Sequence, residues 1–218
     1  MNPDLEALVV EARDPSTPFQ RLKELVKHPK VKVRRALLDN PNVCPTDEDG
    51  KINTNLLETL AREFPEEVAG HPLFVLHALI EPDEEMEGVV IEVVGRTADV
   101  GLIEPLLRTW GPDSWKVRVS VAKNPTTPLD VLRLLGNETT ESKGYVREAV
   151  AMNPTTPLDT LRLLGNEATE SSWNVRLAVA ENPHAPLDVL RTLGNEATES
   201  MGSVLRAAKK ALAARGLS

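Results

Sequence analysis

The chain has 218 residues, enough for one or two globular domains or for one elongated array, and 41% of them are apolar, an ordinary share for a folded protein. Its net charge of −8 disfavours general binding to nucleic acid, and its single cysteine excludes a disulfide framework or a multi-cysteine metal cluster within the chain. The first residues lack the basic and apolar regions of a signal peptide, and the longest apolar run is too short to cross a bilayer. We therefore expect a soluble, cytoplasmic protein without a membrane partner.

The N-terminal 64 residues predict a first helix, one pair of short helices and, after an inserted loop, a further helix marked by Leu56, Leu57, Leu60 and Ala61. The first helix is expected to end near Arg13, and residues 14–18, Asp-Pro-Ser-Thr-Pro, then supply a turn and a helix start. Apolar residues at 19, 22, 25 and 26 mark one short helix of the pair. Residues 33–37, Val-Arg-Arg-Ala-Leu, mark the second, which Asn40-Pro41 should end.

Seven basic side chains cluster on this first pair of helices. They are Arg21, Lys23, Lys27, Lys30, Lys32, Arg34 and Arg35. Such a basic cluster can meet an acidic partner or nucleic acid, although charges on short exposed helices more often form a solvated face. The sequence leaves both interpretations open.

Residues 46–55 are expected to form a loop inserted into the helical pattern. Their acidic, glycine-containing sequence resembles the middle of an EF-hand calcium loop. However, the first ligand position would be Pro45, and the twelfth, normally a bidentate Glu, would be Leu56. We therefore expect a polar surface loop with a tight turn at Gly50 rather than a calcium site.

The middle of the chain holds nearly all of the excess negative charge, since residues 65–115 carry 2 basic and 11 acidic side chains. We expect degenerate helical repeats here, with a helix ending near His71-Pro72, a short helix over residues 73–80 and an acidic linker over 81–87. Residues 89–94 have strand propensity, but a lone strand would have no partner to pair with. The sequence therefore predicts a helix over residues 85–96.

Three copies of a 29-residue repeat follow, over residues 116–203. The run Asn124-Pro125 with the five residues after it returns at Asn153 and, in part, at Asn182, and the first two copies share 22 of 29 positions. A constant period of about 20 to 50 residues is typical of solenoid proteins, in which each unit buries its apolar face on its neighbours. These repeats therefore predict a stack of helical pairs.

Each repeat predicts two short helices, which we name A and B. Thr127 is expected to cap helix A and Pro128 to begin it, and Gly136 is expected to end it in the left-handed conformation. The buried stripe of helix A is expected to be Leu129, Leu132 and Leu135. Helix B is expected over about residues 143–152, with the following Asn-Pro pair as its end.

Comparison of the copies separates the core of helix B from its surface. Valines and small residues recur, as in Val146, Ala149 and Val150, and form the predicted core face. The positions that vary define a second face, the variable stripe: Lys116, Val119, Lys123, Tyr145, Glu148, Met152, Asn174, Leu177 and Glu181. A variable face is either plain solvent surface or the surface that selects a partner. Because Tyr, Met, Val and Leu are more apolar than a solvated face requires, we place the partner-binding site on this stripe.

Two sets of charged residues recur with the repeats. The first set is Arg118, Arg147 and Arg176. We expect each arginine to bond an aspartate of a neighbouring repeat, namely Asp130, Asp159 or Asp188, or the free carbonyls of a helix end. An anion-binding strip is the alternative. The second set lies in the linkers between helices A and B and comprises Glu138, Glu141, Glu167, Glu170, Glu196 and Glu199. We expect a solvated acidic ridge, with weak cation binding as the alternative.

The last helix, over residues 204–215, is longer and more basic than the others and is expected to end at Gly216. A polar, atypical last repeat is what a solenoid needs to cover its open core. The predicted organisation is one α-solenoid over residues 1–218. Its segments are 1–64, with the loop insertion 46–55, then 65–115, 116–203 and the capping helix 204–218.

Two stretches resemble known repeat families. The pattern Asn-Pro-x-x-Pro-x-x-x-Leu-x-x-Leu, followed by Val-Arg-x-Ala-Val-Ala, resembles the leucine-rich repeat variant, and residues 93–107 with 115–118 look like a HEAT-like repeat. Together they cover about two-thirds of the chain. The resemblance implies an all-α, right-handed α-solenoid of short paired helices.

The same resemblance limits the cofactors and activities that can be carried over. Some leucine-rich repeat variant proteins hold an iron–sulfur cluster on N-terminal cysteines, but only Cys44 is present here, so that cofactor does not transfer. HEAT-like folds also include DNA alkylation-repair glycosylases, whose catalytic aromatic and acidic cleft residues cannot be placed on this aromatic-poor sequence.

The sequence shows neither a nucleophile elbow nor a phosphate-binding loop. Its four histidines, His28, His71, His77 and His184, lack metal-ligand spacing. We therefore expect no catalytic residue, cofactor or metal. The expected function is a non-enzymatic scaffold that binds an unidentified protein partner. The alternative is a nucleic-acid-binding HEAT-like protein, and the oligomeric state stays open.

Overall fold

The structure, a computed structural model, describes residues 3–48 and 50–217. These residues are helical or irregular, and the described part of the chain contains no strand beyond an isolated bridge between Thr46 and Ile52. The all-α class predicted from the sequence is thus confirmed. The chain divides into two compact units, residues 1–110 and 111–218.

The first unit consists of short helices of several kinds. Its α-helices are α1 (Pro3–Arg13), α2 (Phe19–Leu25), α3 (Val31–Ala36), α4 (Asn55–Ala61), α5 (Pro65–Ala69), α6 (Pro72–Phe74), α7 (Glu87–Val94) and α8 (Val100–Trp110). Single 3₁₀ turns lie at Leu37–Asp39, Pro41–Val43 and Glu84–Met86, and α6 continues as a π-helical segment, Val75–Ile80. The helices expected up to Arg13 and over residues 85–96 are therefore present as α1 and α7.

The apolar run of α7 is helical because its side chains are covered on more than one side. Val89, Val90, Val93 and Val94 are all fully buried. Helix α7 packs against α4, α5 and α8, so the valines meet neighbours around much of the helix. Tertiary burial outweighs the strand propensity of valine in this segment.

The inserted loop makes the expected tight turn. Gly50 has φ +82°, in the left-handed region that favours glycine. The Asp47 N–H donates to the Lys51 carbonyl at 2.9 Å, next to the bridge between Thr46 and Ile52. Asp49, which the EF-hand comparison includes, lies outside the described residues.

The second unit alternates the B and A helices of the repeats. The B helices are α9 (Trp115–Lys123), α11 (Gly144–Met152), α13 (Trp173–Glu181) and α15 (Gly202–Ala214). The A helices are α10 (Leu129–Leu135), α12 (Leu158–Leu164) and α14 (Leu187–Leu193). Each A helix packs against the B helices before and after it, so every repeat buries its apolar side chains on its neighbours. Val146 and Val150 are fully buried, as the comparison of the copies predicts.

The predicted buried stripe of helix A is wrong at its first position. Leu129 is 49% exposed, whereas Val131, Leu132 and Leu135 are buried. The helix begins at Leu129 with Pro128 in the N-cap position, so the first leucine projects beyond the edge of the core. The same pattern returns in α12 and α14, where Leu158 and Leu187 are exposed.

The predicted roles of Thr127 and Gly136 at the ends of helix A also need correction. The Thr127 hydroxyl does not cap α10 and instead donates to the Val121 carbonyl in the last turn of α9 at 2.6 Å, a carbonyl that also accepts from the Asn124 N–H. Gly136 is not left-handed, since its φ is −88°. Glycine is needed there for space, because a Cβ atom would lie 2.6 Å from Thr160 Cγ2 of the next repeat. At the end of the last helix, by contrast, Gly216 does adopt a left-handed φ of +73°.

Candidate partner-binding surface

The B helices form a regular layer because they stack closely on one another. Consecutive B helices are in contact from α9 to α15, whereas the A helices make their main contacts with B helices. The close approach is possible because the residues between them, such as Ala149, Ala151 and Ala178, have small side chains and are buried. The surface of this layer therefore presents equivalent positions at each repeat, spaced by about 8–10 Å as in packed helices.

Buried pairs of arginine and glutamate link each B helix to the next repeat. Arg147 Nε donates to Glu170 Oε2 at 2.6 Å, and Arg176 Nε donates to Glu199 Oε2 at 2.6 Å. The side chains of both pairs are at most 4% exposed. A third pair, between Arg118 and Glu141, is less buried on its arginine side. These pairs form a ladder of charge-assisted hydrogen bonds along the stack.

Backbone groups complete the hydrogen bonding of each pair. Arg147 Nη1 donates at 2.7 Å to the Glu141 carbonyl, which lies in the linker before α11 and not at a helix end as expected. The Glu170 carboxylate also accepts from the Ser172 N–H at 2.8 Å. A buried charge is stable only when it is paired and hydrogen-bonded, and both conditions are met here.

The electrostatics of the ladder keep both partners charged. The hydrogen bond to Glu170 raises the pKa of Arg147 even though burial acts against its charge. Burial by itself would raise the pKa of Glu199, but hydrogen bonds from Arg176 and from the Met201 N–H lower that pKa overall. The guanidinium groups are thus engaged inside the stack and do not face solvent as a strip for anions.

The predicted pairing of these arginines with aspartates is wrong. The aspartates concerned are Asp130, Asp159 and Asp188. Asp159 and Asp188 instead pair with arginines of the preceding A helix, Arg133 at 3.1 Å and Arg162 at 2.8 Å. Side chains in these two pairs are 50–62% exposed, so the pairs lie on the surface. The aspartates sit in the first turn of helix A, on its outer side, and helix B is out of their reach.

The solvated acidic ridge is likewise wrong for half of its members. Glu141, Glu170 and Glu199 are 4%, 1% and 1% exposed and belong to the buried ladder. The remaining three glutamates, Glu138, Glu167 and Glu196, stay at or near the surface. The two glutamates of each linker are three residues apart, and the linker turn sends one inward and leaves the other outside.

A second ladder, which sequence reasoning missed, is made of the asparagines of the Asn-Pro pairs. Asn153 Nδ2 donates to the carbonyls of Ala122 and Asn124 at 2.7 and 2.9 Å, and Asn182 repeats the arrangement one step later. The Asn153 Oδ1 atom accepts from the Thr155 N–H, which fixes the turn. The signal was present in the sequence, since Asn precedes Pro at a 29-residue interval. The sequence pattern assigns the Asn-Pro pair only to the end of helix B and predicts no role for the asparagine side chain.

The asparagine position also exists in the first unit, where a histidine takes its place once. Asn40 Nδ2 donates to the Ala12 and Asp14 carbonyls at 3.0 and 2.9 Å. His71 Nδ1 accepts from the Leu73 N–H at 3.2 Å, just as an asparagine oxygen accepts from the residue two places on. The ring donates to the Leu38 carbonyl, two residues before Asn40, and burial lowers the pKa of His71. His71 is therefore a structural residue of the turn.

The variable stripe lies on the outer surface of the B layer. Tyr145 and Met152 are 62% and 51% exposed, and Leu177 is half-buried. The charged residues Lys116, Lys123 and Glu181 are exposed, Asn174 is exposed too, and Val119 and Glu148 are half-buried. All nine residues are thus accessible on the B layer.

Two exposed tryptophans next to the stripe were missed by the sequence reasoning. Trp115 and Trp173 are the first residues of α9 and α13, and their side chains are 43% and 39% exposed. The equivalent first residue of α11 is Gly144. The Trp115 ring lies 5.5 Å from the Tyr145 ring, with the two planes tilted by 53°. The signal that could have found them is that residues 111–218 contain no aromatic side chain other than these three.

The arginines of the N-terminal basic cluster are mostly engaged with carboxylates. Arg21 pairs with Glu11 at 2.7 Å, and Arg34 pairs with Glu63 at 2.6 Å. Arg35 pairs in the same way with Glu67, and Lys23 lies over the Phe19 ring. Lys27, Lys30 and Lys32 are exposed. The positive charge of the cluster is therefore partly neutralised within the first unit.

The described residues were also compared with the requirements of a metal site, a reactive cysteine and a membrane-spanning helix. Among the described residues, no group of three or more His, Cys, Asp or Glu side chains could hold a metal ion. Cys44 is buried, and burial raises the pKa of its thiol to about 12. In the described ranges, no helix has the length and apolar character needed to span a membrane.

Comparison with known proteins identifies the repeat. Residues 173–195 match the family model described as leucine rich repeat variant. The matched residues contain α13, the Asn182-Pro183 turn and α14, so the match covers one B helix and the A helix that follows it. No curated protein and no solved structure matches the chain. The resemblance read from the sequence is confirmed for this stretch, and with it the assignment to helical repeats.

Proposed function

We propose that the protein is a non-enzymatic scaffold that binds a partner protein through the variable stripe of its B helices. The observation that carries the proposal is a contrast within the second unit. Residues of the core, turns and ladders are nearly constant from copy to copy, whereas the residues of the variable stripe lie exposed or half-buried on one face. Several of them are large and apolar, above all Tyr145 and Met152. Exposed apolar surface gathered on one face is typical of an interaction site.

The ladders beneath this face supply a preorganised support. The buried pair of Arg147 and Glu170 and the Asn153 side chain each join one repeat to its neighbour through several hydrogen bonds. A surface that is already ordered loses less conformational entropy when a partner binds. The stripe therefore presents fixed anchor points.

The apolar and the charged side chains of the stripe are expected to have different roles in binding. Tyr145 is the expected hot spot, because a rigid aromatic side chain buries a large area when a partner covers it. Lys116, Lys123 and Glu181 are exposed charges around the apolar anchors. Charges at the rim of an interface select the partner and steer its approach more than they add affinity.

Two finer features belong to the same proposal. The right-handed winding that the family resemblance implies is proposed for the stack of repeats. A cytoplasmic location is proposed as well, and a single unpaired cysteine, Cys44, is in keeping with a reducing compartment.

Binding to nucleic acid remains the weaker candidate. The N-terminal cluster is its best support, but three arginines there already form ion pairs with carboxylates. Phosphate groups would have to displace these carboxylates from Arg21, Arg34 and Arg35. The affinity of a protein for nucleic acid depends on such free positive charges.

The test is a cross-linking pull-down from the native host, with wild type compared with the double variant Tyr145→Ala/Met152→Ala. These two residues are chosen because both are more than half exposed, so their removal should leave the fold intact. We expect the variant to lose proteins that wild type captures, by about tenfold or more in recovery, as for loss of a hot spot. Leu177 is left unchanged because it is half-buried and its loss would mix binding with stability.

The control is the double variant Leu158→Ala/Leu163→Ala on the A helix α12. These leucines are 51% and 48% exposed, so the control removes a similar amount of exposed apolar surface from another face. It should capture the same proteins as wild type. If the control loses the partner and the stripe variant keeps it, the binding face is on the A helices and the proposal is wrong.

A further inference from the structure

The aromatic residues of the second unit are all exposed, although large apolar side chains normally fill a core. Trp115, Tyr145 and Trp173 are 43%, 62% and 39% exposed, and the core of the unit consists of valine, leucine and alanine. In the first unit, by contrast, Phe74 and Trp110 are buried. Leaving three large aromatic side chains in water forfeits their hydrophobic stabilisation. Their exposure indicates a surface that is selected for binding.

These three residues form one row, which we name the aromatic strip. Trp115 and Trp173 are the first residues of α9 and α13, and Tyr145 is the second residue of α11. The first residue of α11 is Gly144, which has no side chain; a Cβ atom added there would lie 3.6 Å from Ser172 Oγ, an ordinary contact distance. At the position of α11 equivalent to Trp115 and Trp173 there is thus no side chain, and Tyr145 at the next position forms the tilted pair with Trp115.

The strip also offers unused hydrogen-bond donors. The indole N–H of Trp110 donates to the Ala78 carbonyl at 2.8 Å inside the first unit. Among the residues that the structure describes, no group accepts a hydrogen bond from the indole N–H of Trp115 or Trp173. Both donors lie on half-exposed rings, at the surface where a ligand would pass. A ligand with free carbonyl groups could accept hydrogen bonds from both indole N–H groups.

We propose that the aromatic strip binds a proline-rich segment of a partner protein in the polyproline II conformation, an inference that rests on the scaffold function proposed above. Polyproline II has no internal hydrogen bonds, so its carbonyls are free to accept from the two indoles. It rises by about 3.1 Å per residue with three residues per turn, so prolines three residues apart repeat every ~9 Å. Neighbouring packed helices are about 8–10 Å apart, so each step of three residues carries the peptide about one repeat along the strip, from the Trp115–Tyr145 pair towards Trp173. Aromatic grooves recognise such segments in other proteins by the same physics.

The charges around the strip agree with a peptide that carries an acidic flank. Lys116 and Lys143 are exposed at this end of the B helices. Of the carboxylates there, Asp113 is exposed, while Glu138 is bonded to Ser171 and Arg147, and Glu167 to Ser200 and Arg176. The bases of a single-stranded nucleic acid could stack on these exposed rings. However, the unit as a whole has 13 basic and 12 acidic side chains and therefore little excess positive charge for binding phosphates. Its ladder arginines are buried in ion pairs. The phosphate contacts that a nucleic acid strand needs are therefore scarce, and the peptide is favoured.

The experiment measures fluorescence anisotropy of a labelled synthetic peptide titrated with the full chain. The peptide has the pattern Pro-Leu-Leu-Pro-Leu-Leu-Pro with a glutamate at each end, and its control has glycine in place of each proline. A labelled 20-nucleotide oligo(dT) is the third probe. We expect the proline peptide to bind at least about tenfold more tightly than the glycine peptide, since proline pre-sets the bound conformation. Oligo(dT) should bind more weakly than the proline peptide.

Variants of the chain assign the binding to the strip. Trp115→Ala/Tyr145→Ala and Trp173→Ala should each weaken binding of the proline peptide by about tenfold or more, as for aromatic hot spots. Leu158→Ala, which removes an equally exposed apolar side chain from helix A, should leave binding unchanged. Equal binding of the two peptides, binding that survives both strip variants, or tighter binding of oligo(dT) would each overturn the inference. In any of these cases the scaffold function still stands if the stripe variant Tyr145→Ala/Met152→Ala loses its captured partner in the pull-down.

Discussion

Replacing Arg147 with methionine should destabilise the second unit far more than the same change at Arg133. The Arg147 side chain is 3% exposed and its partner Glu170 is 1% exposed, so the substitution leaves a carboxylate buried without its cation. Removing one member of a buried pair costs about 3–5 kcal/mol. Arg133 and Asp159 are 51% and 61% exposed, and solvent screens their attraction, so Arg133→Met should leave the stability unchanged within error.

The assay is urea unfolding followed by far-ultraviolet circular dichroism. The free energy of unfolding of a small protein falls by about 1–3 kcal/mol for each molar increase in urea. A loss of about 3 kcal/mol or more should therefore lower the midpoint of the transition by ~1 M or more. Arg133→Met serves as the matched control, because it removes an arginine of the neighbouring A helix from an ion pair between repeats.

A double variant decides whether the cause is the uncompensated charge. Arg147→Met/Glu170→Met removes both charges and fills the space with apolar side chains, and such replacements are often neutral or stabilising. We expect it to recover most of the stability that Arg147→Met loses. The reasoning is refuted if Arg147→Met costs no more than Arg133→Met, or if the double variant is less stable than Arg147→Met alone.

Three further outcomes follow from the turns and ladders. Because burial lowers the pKa of His71, the unfolded chain binds a proton there before the folded one, so stability should fall as the pH drops from about 6.5 through the folded pKa. In His71→Asn, melts from pH 7.5 to 5 should lose this part of the pH dependence, and an unchanged slope would contradict it. Asn153→Leu should lower the free energy of unfolding by about 2 kcal/mol or more, because two buried carbonyls lose their hydrogen-bond donor. The control Asn166→Leu, in the exposed linker, should have little effect in the same thermal melts. Gly136→Ala should cost about 1–3 kcal/mol through its contact with the next repeat, whereas Gly144→Ala should be neutral or stabilising by up to ~1 kcal/mol; equal melting temperatures for these two variants would refute the steric argument.

Local sequence rules were sufficient where neighbouring residues decide the conformation. The helices of the repeats, the turn at Gly50 and the end of the last helix at Gly216 all agree with the sequence. Proline, glycine and the spacing of apolar residues act over a few positions, so their effect can be read without knowing the fold. The buried valines of the B helices could be identified for a related reason, since constancy among the copies marks the positions that packing constrains.

The partners of the recurring charges could not be read in this way. The aspartates and the linker glutamates recur with the same 29-residue period, so the period cannot distinguish between them as partners of the arginines of helix B, and the sequence-based prediction names the aspartates. The stack resolves the choice, because the linker turn brings Glu170 under Arg147 while Asp159 remains on the outside beside Arg133. The exposed position of Leu129 has a similar origin, since the edge of the core depends on where the neighbouring repeat lies.

The sequence by itself thus determined the helical class, the repeat length and the residues of the variable stripe, because periodicity and local propensity encode these directly. Tertiary structure alone decided which charges are buried, why Gly136 must be glycine and that Trp115 and Tyr145 meet across two repeats. Each of these facts concerns residues that are more than 20 positions apart in the chain and become neighbours when one repeat packs on the next. A one-dimensional pattern fixes which residues are equivalent, but only packing fixes which of them touch.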